Sequence, residues 1–325
     1  MKQQLNVLYQ FDNNYAPYAG ISILSLCENN KDIETLNIYC AITDVNEENI
    51  SLLNATARKY NRNIIYMDTR KSLEQIHKID AKTWNGSLAT WFKIFIIEEL
   101  IGKIDSLLYI DSDTLVVGNL RDLCNFDFDG KAIACIVDAL AFSSLKRLNL
   151  ENNQYYFNAG IMFFNLLYFK RHNNFYNDMI NHLRRNIDRY SMNDQDLLND
   201  FFSDNIKKMS PKYNFQGVHF MYSDDIYYKV YGKYKYYFRS EIANARVDVR
   251  IVHFIRVLGD YPWEKGNFHP LRQEYLKWKN NSLWKDIPDK DKKRNILFKI
   301  ERIIYLCFPK ALFLRLLKYI TECIE

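Results

Sequence analysis

Apolar runs that read as strands alternate with stretches of helical period through the first half of the chain. That alternation restricts the fold more than any other feature. The strand-like runs are LNVLYQF (5–11), LNIYCAI (36–42), NIIYM (63–67), SLLYI (106–110) and KAIACIV (131–137). Helix-period stretches at 17–29, 46–60 and 88–101 lie between several of them. Strands alternating with helices argue for parallel βαβ units, hence an α/β chain with a Rossmann-like open sheet. Ligands of such sheets bind beyond the carboxyl ends of the strands.

After residue 138 the alternation loosens. YYFNAGIMFFNL (155–166) reads as a buried strand, helical runs follow at about 173–189 and 194–203, and VRIVHF (249–254) reads as another strand. The Tyr- and Lys-rich stretch 217–248 shows no clear period. No internal repeat and no Pro/Gly-rich linker occurs before about residue 280, so residues 1–280 are expected to form one catalytic body. The rest, 281–325, reads as a tail. Ile296, Leu297, Ile300, Ile303, Ile304 and Cys307 fall at helical spacing, Pro309 breaks the run, and Leu312, Phe313, Leu316, Leu317, Ile320 and Ile324 repeat it. Lys and Arg take much of the remaining face, which makes a basic amphipathic helix pair. An anionic membrane surface is its expected partner, with docking on the body or a second subunit as the alternative.

Charge supports that division. The chain carries a formal +5 over 325 residues. From Lys292 onward, eight lysines and arginines face three acids, so the first 291 residues are neutral overall. A nucleic-acid face spread over the body is therefore not expected. The six cysteines form no C-x-x-C pair and most sit among apolar residues, as reduced buried thiols do. The opening MKQQLNVLYQF has no apolar core of signal-peptide length, and no stretch reaches eighteen uncharged apolar residues. A cytoplasmic protein is the expectation.

Chemistry enters at LLYIDSDTLVVGNL (107–120), where Asp111 and Asp113 interrupt a greasy run. Two acids there cost free energy unless a cation meets them. Residues two apart on an extended chain point to the same side, so both carboxylates can face one ion. The ten glycines are spaced too widely for G-x-G-x-x-G or a P-loop. If a nucleotide binds, a metal on the paired acids is the natural substitute for a glycine cradle. Taken alone, D-x-D after a strand also opens haloacid-dehalogenase-type phosphatases.

The surrounding motifs, in order, are FDNNYAPYAGISILSL (11–26), LLYIDSDTLVVGNLRDL (107–123), YFNAGIMFFNL (156–166), NDQDLLN (193–199), YNFQ (213–216) and IVHF with YPW (251–263). This constellation resembles the family 8 glycosyltransferases, retaining enzymes of GT-A fold, of the bacterial lipopolysaccharide galactosyl- and glucosyltransferase kind. The resemblance covers roughly residues 5–280. It implies a UDP-sugar donor, UDP-galactose or UDP-glucose, and a Mn²⁺ ion with Mg²⁺ as a weaker replacement.

The resemblance also implies roles. Asp111, Asp113 and His253 would bind the metal. Asp12 would accept from the uracil edge, Tyr15 would stack on the ring, and Asn14 would help hold the nucleoside. A helix-capping Asp and a core Tyr are the alternative for Asp12 and Tyr15. Ser112 would pass close to the ribose, and Lys93, in TWFKIFIIEEL, would touch the donor, or else snorkel to the surface. Asp138 and Asn158 would hydrogen-bond sugar hydroxyls, and Asp194 and Gln195 would face the reacting carbon. No strong nucleophile emerges, so front-face transfer is the expected route to retention. One departure stands out: the family's Lys-Pro-Trp is Tyr261-Pro262-Trp263 here, and Arg256 stands near enough to supply the missing cation.

The expected product is a cell-surface glycan built on a saccharide or glycolipid acceptor at the inner face of the cell membrane. A sugar-nucleotide-binding protein without turnover is the second reading, and the phosphatase the third.

Overall fold

The computed structural model describes residues 3–83, 88–150, 155–256, 258, 260–291 and 296–324, with side chains up to residue 320. In chain order the strands are β1 (Gln4–Asp12), β2 (Thr35–Thr43), β3 (Ile64–Met67), β4 (Ser106–Ile110), β5 (Thr114–Val116), β6 (Ile133–Val137), β7 (Phe157–Asn165), β8 (Ile206–Lys208), β9 (Phe215–Gln216) and β10 (Ile251–His253). Seven of them form one sheet in the order β3-β2-β1-β4-β7-β6-β8. β1 to β4 run parallel within it, and β7 lies antiparallel between β4 and β6. The sheet is thus mixed and open, with helices on its faces. Near-continuous burial along β1, β6 and β7 is what strands covered on both faces require.

The expected strands all form, with ends that differ by up to two residues; β1 and β2 are longer by one at each end. The stretch 88–101 splits into a short 3₁₀ turn at Ala89–Trp91 and a helix at Phe92–Leu100. That helix is apolar almost all round and lies in the core, which carries Lys93 inward with it. The first helix, Ala16–Asn29, takes Pro17 in its first turn. The helix Glu47–Arg58 is capped by the Asn46 side chain, which accepts from Asn49 N–H at 2.9 Å. The unreadable stretch 217–248 forms three helices, Val218–Met221, Asp224–Tyr231 and Arg239–Val247. Its tyrosines fill a second core rather than showing a clean stripe.

Two pairings bring distant motifs together. β7 meets β4 with Ile110 opposite Ile161, and Asp111 N–H donates to Gly160 O at 2.8 Å. The Asn-Ala-Gly stretch of β7 therefore lies beside the D-x-D turn. A small second sheet, β5-β10-β9, sets His253 opposite Thr114 on one side and Gln216 on the other. Phe254 N–H donates to Asp113 O at 2.9 Å.

The region read as a tail divides in two. Residues 281–291 pack with the body: Trp284 is buried against Gly20, and its indole N–H donates to Asn49 at 2.9 Å. A Cβ on Gly20 would meet that indole at 2.1 Å, so only glycine fits there. Beyond the undescribed Lys292, Lys293 and Arg294 come helices Ile296–Cys307 and Lys310–Ile324, separated at Pro309 as the sequence expects. They dock on the body. Phe313 and Leu314 are buried with Phe142, Tyr227 and Tyr231, and Arg302 pairs with buried Asp260. A second apolar face stays in solvent, with Ile303 60% and Leu306 61% exposed. Among the described residues no helix is long and apolar enough to cross a membrane.

Candidate active site

Nine of the residues singled out in the sequence line one cleft of about 610 Å³ at the carboxyl ends of β1 and β4: Lys93, Asp111, Asp113, Asp138, Asn158, Asp194, Gln195, His253 and Arg256. That is the size of a small-molecule site.

At its floor, the ligand atoms of Asp111, Asp113 and His253 lie within 4.8 Å of one another. His253 Nε2 stands 3.7 Å from Asp111 Oδ2 and 3.4 Å from Asp113 Oδ1. Burial, partly offset by the charge of Lys93, pushes the Asp111 carboxyl up to about 6. Burial works against protonation of His253, but the neighbouring carboxylates outweigh it and raise its pKa. A cation binding here competes with protons for the same atoms.

The hydrogen bonds around His253 determine which nitrogen faces that site. The Gly160 N–H can only donate, so the Asn158 atom it meets at 2.9 Å is Oδ1. The Asn214 group facing that oxygen at 2.8 Å is then its NH₂. This turns Asn214 Oδ1 toward His253 Nδ1 at 3.1 Å. In the neutral imidazole, Nδ1 carries the proton and Nε2 keeps its lone pair for a metal. The donor set of two carboxylates and one oriented imidazole fits a divalent cation of the Mn²⁺ kind. Gly160 is required under the ring, because a Cβ there would sit 2.3 Å from His253 Cε1.

Asn214 is a positioning residue that the sequence reading quoted within YNFQ without assigning it. Asn214→Leu should weaken cation binding by about 10–100-fold while the fold persists. A calorimetric Mn²⁺ titration checks this, and an unchanged affinity would rule out the orienting role.

Asp138, Asn158 and Gln195 form one network. Asn158 Nδ2 donates to Asp138 Oδ2 at 2.9 Å and to Gln195 Oε1 at 3.3 Å, and Ala159 N–H donates to Gln195 Oε1 at 3.0 Å. The turn that aims Asp194 and Gln195 inward is strained, since Asn193 sits at φ +48°. Asp196 anchors it, fully buried, accepting two bonds from Arg147 at 2.8 and 2.9 Å, with Tyr156 and Met192 N–H as further donors. Neither Asp196 nor Arg147 was singled out from the sequence. The signal available was the second Asp of NDQD.

Two residues named for the donor have protein partners here. Lys93 lines the cleft and does not snorkel to the surface. It is 2% exposed, its Nζ donates to Asp194 Oδ2 at 2.6 Å and to Ala159 O at 3.2 Å, and it lies 3.9 Å over the Tyr109 ring. An ammonium inside this core has to be paired, and Asp194 is the nearest anion. Tyr109 in turn donates its hydroxyl to Asp111, which links the two halves of the floor. Ser112 is buried and donates to Gln10 O at 3.0 Å.

Asp12, Asn14 and Tyr15 lie beside the cleft at the end of β1. Asp12 Oδ1 accepts from Asn14 N–H at 3.0 Å and Tyr15 N–H at 3.1 Å, the turn-capping alternative, which leaves Oδ2 available. Asn14 is exposed. Tyr15 is half-buried, and burial together with Asp113 pushes its hydroxyl up to about 12. Next to it, Tyr261 stacks on Trp263 at 4.6 Å, and the exposed Arg256 guanidinium lies 5.0 Å from the Tyr261 ring.

Comparisons with known proteins bear on the fold and the family. General stress protein A of Bacillus subtilis (strain 168) is 25% identical over 279 residues, covering 85% of this chain and 93% of that protein. A lipopolysaccharide 1,2-glucosyltransferase of Escherichia coli is 31% identical over 220 residues, 66% of this chain and 63% of that enzyme, so the match spans under two thirds of its length. Among solved structures, the galactosyltransferase LgtC in complex with donor and acceptor sugar analogues superimposes with a TM-score of 0.68 at 20% identity, over 86% of this chain and 96% of that one. At that identity the likeness shows the fold, which is GT-A. The family description "Glycosyl transferase family 8" matches residues 6–266, and the chain belongs to that family.

Proposed function

We propose that the chain transfers galactose or glucose from a UDP-sugar to a saccharide acceptor, with retention at the reacting carbon, in building lipopolysaccharide or another cell-surface glycan. The observation that carries this is the Asp111–Asp113–His253 cluster opening into a cleft whose other wall is the Asp138–Asn158–Gln195 network and Asp194. The lipopolysaccharide glucosyl- and galactosyltransferases among the relatives support the acceptor class.

Asp111, Asp113 and His253 would hold Mn²⁺, or Mg²⁺ less well, and the ion would offset charge gathering on the departing diphosphate. The chain's own groups do the rest. Asp138 and Asn158 line the cleft wall against which the sugar would lie, and sugar hydroxyls would have to share the bonds that Asn158 makes with Gly160, Asn214, Asp138 and Gln195. Gln195 Oε1 already accepts from Ala159 and Asn158, and Asp194 is held by Lys93, so neither is a free nucleophile. That supports front-face attack by the acceptor hydroxyl. Arg256 stands at the rim as the cation that Tyr261 does not supply. Screening UDP-sugars for Mn²⁺-dependent UDP release, with and without saccharide acceptors, tests the reading, and absence of UDP release from every donor would sink it.

Arg256→Ala is expected to weaken UDP binding by about tenfold or more, as loss of one charge-assisted contact of 1.5–3 kcal/mol implies. Calorimetric titration with UDP and Mn²⁺ measures it, and an unchanged constant would leave Tyr261 without a substitute.

We also propose a peripheral position on the inner face of the cell membrane. The outer apolar face of the two C-terminal helices supports it, with the exposed Lys299 and Arg315 beside it to meet anionic headgroups. A chain ending at residue 291 should stay at the bottom of a flotation gradient with anionic liposomes, where the full chain rises. Equal flotation of both would exclude the tail as the anchor.

A further inference from the structure

A second cavity, of about 280 Å³, lies against the catalytic cleft. Leu140, Gln216, Ile255 and Arg256 line both, so the two spaces share a wall. The far wall comes from the C-terminal helices through Phe298, Phe313 and Leu317, and the body side adds Met221 and Leu258. The tail is held there by the buried Phe313 and Leu314, by the Arg302–Asp260 pair, and by Lys318, whose Nζ donates to Val230 O at 3.1 Å. Asp260 belongs to the segment after β10 that also carries Arg256 and Tyr261. The helices are therefore built into the edge of the active site.

The chemistry of this cavity is wrong for a nucleotide or a sugar. Its lining is mainly apolar. Gln216 is tied to the backbone, accepting from Ala139 N–H and donating to Val137 O, each at 3.0 Å. Glu301, also in the wall, is raised above its ordinary carboxyl pKa by burial. What suits the space is hydrocarbon attached to something polar that remains in the cleft. The same two helices expose Ile300, Ile303, Leu306 and Leu316 on their outer side, so an apolar path continues from the cavity wall to the surface proposed to meet lipid.

We infer that this cavity receives the hydrocarbon aglycone of a lipid-linked acceptor, while the acceptor sugar reaches across the shared wall into the catalytic cleft. The inference rests on the proposed reading of the acceptor as membrane-borne, and it assigns the tail a role in substrate selection as well as attachment.

Calorimetry on the full chain tests it, with dodecyl β-maltoside as probe, kept below its critical micelle concentration. The expected result is one saturable site, with hexyl β-maltoside weaker by up to about 4,000-fold, since each of the six extra methylenes contributes roughly fourfold when buried. That chain-length comparison needs no variant. Leu317→Trp on the tail side and Met221→Trp on the body side, which fill the cavity, should each weaken dodecyl maltoside by about tenfold or more. The outer-face pair Ile303→Ser and Leu306→Ser should leave it unchanged. Non-saturable binding, equal affinity for the two chain lengths, or loss only in the outer-face pair would overturn the inference. Titration of the same samples with UDP and Mn²⁺ separates the two levels: if UDP binds and the alkyl glycoside does not, only the cavity assignment fails. If UDP itself does not bind, the donor reading fails.

Discussion

Asp113→Asn is expected to lower sugar transfer by about a thousandfold while leaving the fold intact. The amide keeps an oxygen but loses the charge that faces His253 Nε2 at 3.4 Å. A bound cation stabilises a departing diphosphate by several kcal/mol, and each 1.36 kcal/mol is tenfold in rate. Stability should hold or rise slightly, because the substitution removes a negative charge beside Asp111, whose carboxyl is raised partly by that neighbour. UDP release under saturating Mn²⁺ and the thermal midpoint, measured together, check both halves. Transfer within tenfold of the native rate would remove Asp113 from the metal site. A fall in rate accompanied by unfolding would show that the pair of acids is structural.

Lys93→Met should cost the most stability of any single change in the cleft, about 3–5 kcal/mol. Lys93 and Asp194 meet at 2.6 Å with side chains 3% and 7% exposed, so the methionine leaves a buried carboxylate without its partner. Burial already raises the Asp194 pKa, and the Lys93 charge and hydrogen bond hold it down. Without Lys93 it rises further. A carboxyl whose folded pKa lies above its unfolded value binds more protons when folded, so the loss is largest at high pH. The deficit should shrink as pH falls through that raised pKa. Urea unfolding at several pH values measures it. The double variant Lys93→Met with Asp194→Asn should recover most of the stability and none of the activity. A single variant as stable as the native chain would contradict the pairing.

The fold was legible wherever local pattern carried it. β1 to β4 and the first helices are apolar runs and helical periods that burial demands, and Asp12 and Asp111 stand at the carboxyl ends of β1 and β4 as their spacing in the sequence expects. The helices of 217–248 were not legible, because their tyrosines pack against one another and against the tail instead of marking one face. The division at residue 280 also escaped reading. Trp284 joins the main core through contact with Gly20, and nothing local to either residue announces a partner so distant.

The site divides along the same line. Asp111 and Asp113 could be paired from spacing alone, because alternation on an extended chain puts both carboxylates on one side. The ordered motifs supplied the family, and with it His253, Asp138, Asn158, Asp194 and Gln195. What those side chains touch was decided by tertiary structure. Lys93 turned to Asp194 at the cleft wall, since an ammonium on a buried helix needs an anion beside it. Ser112 turned to Gln10, and Asn214 took up the orientation of His253. The tail's apolar positions read as an amphipathic helix pair for a membrane surface or for docking on the body; Phe313 and Leu314 went into the body while Ile303 and Leu306 stayed outside. Sequence periodicity states how apolar a helix is and which residues share a face. Only the packed neighbours decide which face is covered, because burial is a property of the pair and not of either partner.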